Sequence, residues 1–163
     1  MEYYGGIDLG VRSAAAAIVN EHGELLFYEH WKFDTRNPFY ERLEDFAARV
    51  DAFCNDHPNA RIIGIERPWV GRNYKTALEL GMMFGVTFAM VSMQEDKPME
   101  IFPRQAKKAL TGSGKATKED MREALHMQFN VDDNTKFADI ADAVGIALAA
   151  RSKAQKEKLN NYV

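Results

Sequence analysis

Hydrophobic and polar positions along the first third of the chain follow the pattern of short strands. Three apolar stretches, at residues 3–9, 13–19 and 24–33, predict three consecutive strands, and the turn Glu21-His22-Gly23 separates the last two. Strands joined by connections this short pair most readily with their neighbours in antiparallel fashion. The amino-terminal third is therefore predicted to form an antiparallel meander.

The pattern then changes to helical spacing. Asn37-Pro38 offers a helix cap and a first-turn proline, after which apolar residues recur at helical intervals from Phe39 to Phe53. Further strands are predicted at residues 61–66 and 99–102, where Pro103 stops the second. Helices are predicted at residues 76–91, at 104–110, after the cap residue Thr117, and at 135–154. This order predicts an α/β fold with a ribonuclease-H-like mixed five-stranded sheet, its first three strands antiparallel, flanked by helices in one domain over residues 1–163.

Composition narrows the class of protein. The single cysteine, Cys54, excludes an internal disulfide, and no charged-then-apolar leader opens the chain, so we expect a cytoplasmic protein. The most apolar stretch, residues 77–91, is interrupted by Glu79 and is expected to be too short to span a bilayer. A soluble protein without membrane contact is predicted.

The formal net charge of −3 is unevenly distributed. Residues 1–66 carry a net −6, whereas residues 101–163 carry a net +3. Basic residues concentrate between positions 104 and 122, where they are Arg104, Lys107, Lys108, Lys115, Lys118 and Arg122. Such a cluster can follow a phosphate backbone, although an ordinary solvated face has the same composition.

Four carboxylates stand in settings that suit a metal site. Asp8 and Glu66 each end an apolar strand-like run, where an uncompensated charge is costly, and Asp139 and Asp142 lie one helical turn apart. Oxygen ligands suit Mg²⁺, and two such ions about 3.5 to 4 Å apart can hydrolyse a phosphodiester. The alternative is that Asp139 and Asp142 only favour a helix amino terminus. Asp132-Asp133 lies in a predicted turn and is left outside the site.

Three sequence blocks, in order, resemble the RuvC family of Holliday-junction resolvases from about residue 7 to residue 150. They are Gly6-Ile7-Asp8-Leu9-Gly10; Ile65-Glu66-Arg67-Pro68-Trp69 with Asn73, Leu78, Leu80-Gly81 and Gly85; and Pro103-Arg104-Gln105-Ala106-Lys107 through Gly112, Gly114 and Lys118 to Asp139-Ile140-Ala141-Asp142-Ala143. The first block alone is weak, because sugar kinases and actin-like ATPases have a similar turn.

The resemblance implies a homodimeric endonuclease that nicks four-way DNA junctions symmetrically in recombination and repair. It implies two Mg²⁺ per active site, which Mn²⁺ can replace, held by the four carboxylates. Lys107 and Lys118 match basic positions that the family uses near the scissile phosphate, and Trp69 matches an aromatic that stacks on bases at the branch point. A partly buried core residue is the other interpretation of Trp69. The remaining expected DNA contacts are Arg72, Asn73, Arg104, Lys108 and Lys115.

Two further features bear on partners. Gly81 and Gly85, four residues apart on an apolar helix, allow close packing against a second helix, either within the chain or across the two-fold axis that the resemblance implies. Leu9, Val11 and Ala14 depart from the usual first turn of the family. The cleavage-sequence preference and any partnership with a branch-migration motor therefore stay open, and a phage-encoded or otherwise divergent member is plausible.

Other functions remain as alternatives. A broader debranching nuclease or a nuclease of RNA–DNA hybrids would use the same carboxylates. An actin-like ATPase would need a second phosphate-binding Asp-Gly block and a much longer chain, and a binding module without catalysis would not need all four acids. The four histidines lack the spacing of metal ligands, and Cys54 is expected to be a small buried hydrophobe.

Overall fold

The computed structural model describes residues 1–162. In chain order, its elements are β1 (Tyr3–Asp8), β2 (Ser13–Asn20), β3 (Leu25–Lys32), α1 (Phe39–Asp56), β4 (Ile62–Glu66), α2 (Tyr74–Met93), β5 (Lys97–Ile101), α3 (Pro103–Thr111), α4 (Lys118–Phe129) and α5 (Asp139–Asn160). The strands form one sheet in the order β3-β2-β1-β4-β5.

Strands β1, β2 and β3 pair antiparallel, whereas β4 pairs parallel to both β1 and β5. The predicted fold class, a mixed five-stranded sheet with an antiparallel start, is confirmed. In the register between β1 and β4, Ile7 lies opposite Ile65. Asp8 and Glu66, the next residues of the two strands, therefore emerge at the same edge of the sheet.

Two predicted helix starts are wrong. Helix α1 begins after Pro38, which occupies the cap position without any side-chain cap, so Asn37 does not cap it. Helix α5 begins at Asp139 and not at residue 135, because Ala138 adopts a left-handed backbone conformation with φ of 59°. The turn before it is held by Asp133, whose carboxylate accepts hydrogen bonds from the Thr135 hydroxyl at 2.5 Å and from the Ala141 amide at 2.8 Å. By contrast, the predicted cap of α4 by Thr117 is confirmed.

Each face of the sheet is covered by a hydrophobic layer. Helices α3, α4 and α5 pack over one face, and α1 and α2 pack over the other. The closest approach is between β1 and α5 at Gly6, where an added Cβ would lie 2.3 Å from the Ala143 carbonyl oxygen and 2.4 Å from the Ala147 amide nitrogen. Only a glycine lets the helix backbone lie this near the strand.

Helix α2 buries only part of its surface. Met83, Thr87 and Val91 face the core, whereas Leu78 and Met82 lie on an exposed apolar side. The helix has 20 residues, and its most apolar 18-residue window has a mean hydropathy of 1.5. By length and composition it could therefore cross a membrane, so the expectation that this stretch is too short is wrong. A single helix of this kind is weak evidence of a membrane span, because helices of soluble proteins also reach this length and composition.

We predict that Gly6→Ala destabilises the protein far more than Gly5→Ala. The added methyl at position 6 would meet backbone atoms of α5, whereas at position 5 it would meet the mobile end of the Ile63 side chain at 2.8 Å. Overpacking against atoms that cannot move should cost about 3 kcal/mol, a fall in melting temperature of roughly 5 to 10 °C. Calorimetry of both variants makes the comparison. Equal melting temperatures would show that α5 can withdraw from β1 without cost.

Candidate active site

Four carboxylates from three elements meet at one end of the sheet. Asp8 ends β1, Glu66 ends β4, and Asp139 and Asp142 lie in the first turn of α5. The close packing of α5 on β1 at Gly6 places the start of the helix beside the ends of the two strands. The structure thus brings together all four carboxylates that the sequence singles out.

Asp8 and Asp139 are the most buried of the four, each with 5% of its surface exposed. For Asp8 this burial has a clear effect on the pKa. Burial raises its pKa well above the ordinary value, and the negative charges of Asp142, Glu66 and Asp139 raise it further. Asp8 also shares a carboxyl–carboxyl hydrogen bond with Glu66, which stabilises the protonated form of Asp8. Like charges held this close cannot all ionise unless a cation joins them.

Glu66 on β4 and Asp142 on α5 also have raised pKa values. Burial raises the pKa of Glu66, partly offset by the hydrogen bond from Asp8 and by the positive charge of Lys107. Burial also raises the pKa of Asp142 to about 7, with a contribution from Glu66, while Lys118 opposes the rise. The cluster is therefore a site of concentrated, poorly solvated negative charge, as active sites often are.

Both predicted active-site lysines reach this cluster. Lys107 on α3 and Lys118 at the start of α4 line a cavity of about 300 Å³ together with Glu66 and Asp142. The ring of Phe137 supports Lys118, whose Nζ lies 4.9 Å from the ring centroid. The cavity thus offers carboxylates on one wall and ammonium groups on another, a combination suited to a phosphate that is also bound to cations.

Sequence reasoning missed two side chains of the site. Ser13 Oγ donates a hydrogen bond of 2.6 Å to Asp139 Oδ2, and His30 Nε2 lies 2.9 Å from the same oxygen. His30 thus contacts a candidate site carboxylate, although its spacing in the sequence is not that of a metal ligand. Strand alternation was the signal that could have placed the two side chains together. His30 lies opposite Ala15 on β2, and Ala15 is on the same face of the sheet as Ser13.

The segment before α5 is anchored by a residue of the basic cluster. Arg122 on α4 donates hydrogen bonds to the backbone carbonyls of Asp133 at 3.2 Å and Thr135 at 2.8 Å. Asp133 in turn stabilises the first turn of the helix, as described above. Asp132 is bound to His126 at 2.8 Å, and the negative charge of Asp133 contributes to the raised pKa of Asp142.

The expected DNA contacts lie around this centre at different distances. Trp69 is 78% exposed, which contradicts its interpretation as a core residue, and it lines a cavity of about 560 Å³ with Glu66, Arg72 and Asn73. Asn73 also caps α2 through the Thr76 amide. Arg104, Lys108 and Lys115 are exposed, and Lys108 lines a separate cavity between α3 and α5.

The donor set fits a hard divalent cation. Carboxylate oxygens are the ligands that Mg²⁺ and Mn²⁺ prefer, and the raised pKa values show negative charge without a neutralising partner. Across residues 1–162, no three acidic, histidine or cysteine side chains are already arranged as a closed ligand cage. One oxygen of Asp139 is already in contact with Ser13 and His30.

Known proteins share both this sequence and this fold. The family model of crossover junction endodeoxyribonuclease RuvC matches residues 5–150. A RuvC of Christiangramia forsetii is 33% identical over 103 residues, 63% of this chain and 53% of that protein. A RuvC of Aliarcobacter butzleri is 30% identical over 145 residues, 88% of this chain and 94% of its own.

A solved structure shows the same architecture over the whole chain. Thermus thermophilus RuvC in complex with a Holliday junction substrate superimposes with a TM-score of 0.81 at 23% identity, covering 96% of this chain and 97% of that one. At 23% identity the structural similarity establishes only the fold, whereas the match to the family model establishes membership of the family. The chain belongs to the RuvC family of crossover junction endodeoxyribonucleases, a family of metal-dependent nucleases.

Proposed function

We propose that this protein is a nuclease of branched DNA that nicks four-way junctions symmetrically as a homodimer. The observation that carries the proposal is that Glu66 and Asp142 share one cavity with Lys107 and Lys118, while the charges of both acids act on the buried Asp8. Family membership gives the substrate class, and the exposed apolar face of α2 gives the route to a dimer. We treat residues 1–163 as a single nuclease domain that acts inside the cell, where its DNA substrate is found.

We infer that Mg²⁺ is the resident metal, with two ions per active site and Mn²⁺ as a substitute. Asp8, Glu66, Asp142 and the free oxygen of Asp139 are the groups that would hold them, while Asp139 Oδ2 stays bound to Ser13 and His30. When bound, such ions lower the pKa of a water nucleophile and neutralise the leaving oxygen. The protein contributes ligand orientation and a partly dry cavity.

The two lysines supply positive charge from the protein itself. Lys107 and Lys118 lie on the wall of the carboxylate cavity, where an ammonium group can stabilise the charge that grows on the phosphoryl oxygens. Arg104, Lys108 and Lys115 are exposed and line no cavity with the carboxylates, so they are assigned to the backbone of the DNA arms. The basic residues next to the carboxylates are thus assigned to catalysis, and those further away are assigned to positioning the DNA.

The loop after Glu66 is assigned to the branch point. Trp69 stands out into solvent, two residues before Gly71, where an added Cβ would meet the indole ring at 2.8 Å. The ring therefore lies beside Gly71 of its own loop while most of its surface stays exposed. An exposed indole beside catalytic carboxylates can stack on unpaired bases, at about 1 to 3 kcal/mol per base. Arg72 and Asn73 line the same cavity.

A broader specificity is the second candidate, because nothing in the carboxylate cluster itself distinguishes a junction from other nucleic acids. The deciding experiment incubates the protein with a four-way junction, a linear duplex and an RNA–DNA hybrid, each with and without Mg²⁺. Paired nicks confined to the junction and to Mg²⁺ are expected. Cleavage of the hybrid or of the duplex at a comparable rate would replace the junction with that substrate.

Removing one carboxylate charge should abolish cleavage but leave binding. Glu66→Gln keeps the size of the side chain while removing a metal ligand, so we expect nicking to fall by at least a hundredfold. Junction affinity measured in Ca²⁺ should stay within about threefold, because loss of negative charge does not hinder DNA. Glu123→Gln, an exposed acid on α4, is the matched control and should cut normally. Wild-type nicking by Glu66→Gln would exclude Glu66 from the site.

The raised pKa of Asp142 gives a pH signature. A carboxyl whose pKa is higher in the folded state stabilises the fold at low pH and loses that contribution as the pH rises from about 4 to about 7. Mg²⁺ binds the ionised form, so saturating Mg²⁺ should raise the melting temperature by roughly 5 °C or more at pH 8 and by much less at pH 5. Asp142→Asn should flatten both effects. An equal Mg²⁺ shift at the two pH values would contradict the assigned site.

The dimer assignment is tested at Gly85. An added side chain at this position meets no atom within 4 Å in the single chain, and leucine is a better helix former than glycine by roughly 1 kcal/mol. Gly85→Leu should therefore keep the fold but crowd a two-fold helix contact, giving monomers in sedimentation and unpaired nicks on intact junctions. Glu123→Leu adds the same side chain on α4 as a control. A stable Gly85→Leu dimer with paired nicking would place the interface elsewhere.

A further inference from the structure

A second, larger cavity opens on the β3 side of the carboxylates. It has a volume of about 670 Å³, within the range of ligand pockets of about 300 to 1,000 Å³. Its walls come from the start of β2, the end of β3 and the segment before α5. The lysine-lined cavity described above lies towards β4, so the two cavities flank the carboxylate cluster on opposite sides of β1.

The larger cavity is connected to the carboxylate cluster through Asp139. Ser13 and His30 line the larger cavity, and both contact Asp139 Oδ2 through the hydrogen bonds given above. Phe137 also lies between the cavities, because its ring supports Lys118 on one side and has Lys136 Nζ 5.1 Å from its centroid. Positive charge therefore continues from the carboxylate cavity into the larger one.

The chemistry of the larger cavity suits a nucleotide. Arg12, Lys32 and Lys136 are exposed at its rim, and within residues 1–162 none of the three forms an ion pair. The one acid among the lining residues, Asp132, is bound to His126. The lining also includes the buried apolar side chains Phe33 and Ile140. Unpaired cations over an apolar floor match the phosphate and the base of a nucleotide, respectively.

We propose that this cavity binds the unpaired nucleotide next to the scissile phosphate on the cut strand, and that it thereby contributes to the choice of cleavage site. The proposal rests on the proposed function, because the carboxylate cluster must hold the phosphate that is cut. A strand with one phosphate at that cluster passes the wall formed by Ser13 and His30 and enters the larger cavity. Lys32 and Lys136 then face the flanking phosphate, while the base lies over Phe33 and Ile140.

The test uses the full chain carrying Lys32→Gln together with Lys136→Gln. Both side chains are exposed, so the melting temperature should match the wild type. Junction affinity is measured in Ca²⁺ at several salt concentrations, and the slope of log affinity against log salt should fall by about one to two, as expected for one or two lost phosphate contacts. Lys156→Gln, an exposed lysine near the end of α5 outside both cavities, is the matched control and should change the slope less.

Cleavage mapping supplies the second readout. Junctions carrying each of the four bases beside the cut are nicked in Mg²⁺, and the double variant should lose at least threefold of the wild-type preference among them, whereas Lys156→Gln should keep it. A double variant with the wild-type slope and preference would overturn this proposal while leaving the nuclease assignment intact. A wild-type protein that nicks none of the junctions would overturn both.

Discussion

The contact between Gly6 and helix α5 is the constraint on which the site depends. A strand and a helix normally stand apart by the thickness of their side chains, but here the helix backbone at Ala143 and Ala147 touches the strand directly. Gly64 on β4 also lies close to α5, where an added Cβ would lie 2.9 Å from the methyl group of Ala150. The small residues therefore set the height of α5 above the sheet. Because Asp139 and Asp142 lie in the first turn of α5, that height also sets their distance from Asp8.

This packing brings negative charges into a poorly solvated place, which works against stability. The structure compensates only in part. Ser13 donates a hydrogen bond to Asp139, and His30 contacts the same carboxylate. The positive charges of Lys107 and Lys118 lower the pKa values of Glu66 and Asp142, against the effect of burial. The remaining excess of negative charge, which appears as raised pKa values, is what a divalent cation neutralises. A fully compensated cluster would be more stable and would have a weaker affinity for metal.

The sequence predicted the fold well because its strongest signals are local. Alternation and helical spacing located all five strands and five helices, and the sheet order follows from short connections and parallel crossovers. Local sequence patterns did not predict the features that depend on contacts between residues far apart in the chain. The start of α5 moved to Asp139 because Asp133 holds the preceding turn, and His30 joined the site through a contact 109 residues away in sequence. The roles of the carboxylates stay a prediction, although their proximity was foreseen from their settings.

Helix α2 links the assembly of the protein to its chemistry. Its exposed apolar face continues from Tyr74, at 83% exposure, to Met93, at 82%, and so runs the full length of the helix. The Trp69 loop leads directly into its amino terminus, where Asn73 forms the cap. A two-fold contact along α2 would therefore fix the separation of two Trp69 loops as well as that of two carboxylate clusters. In such a dimer both would depend on one helix, so the spacing of the cuts and the opening of the branch point would not vary independently. The apolar composition that makes α2 resemble a membrane helix is thus accounted for by a partner helix, which would cover the same surface.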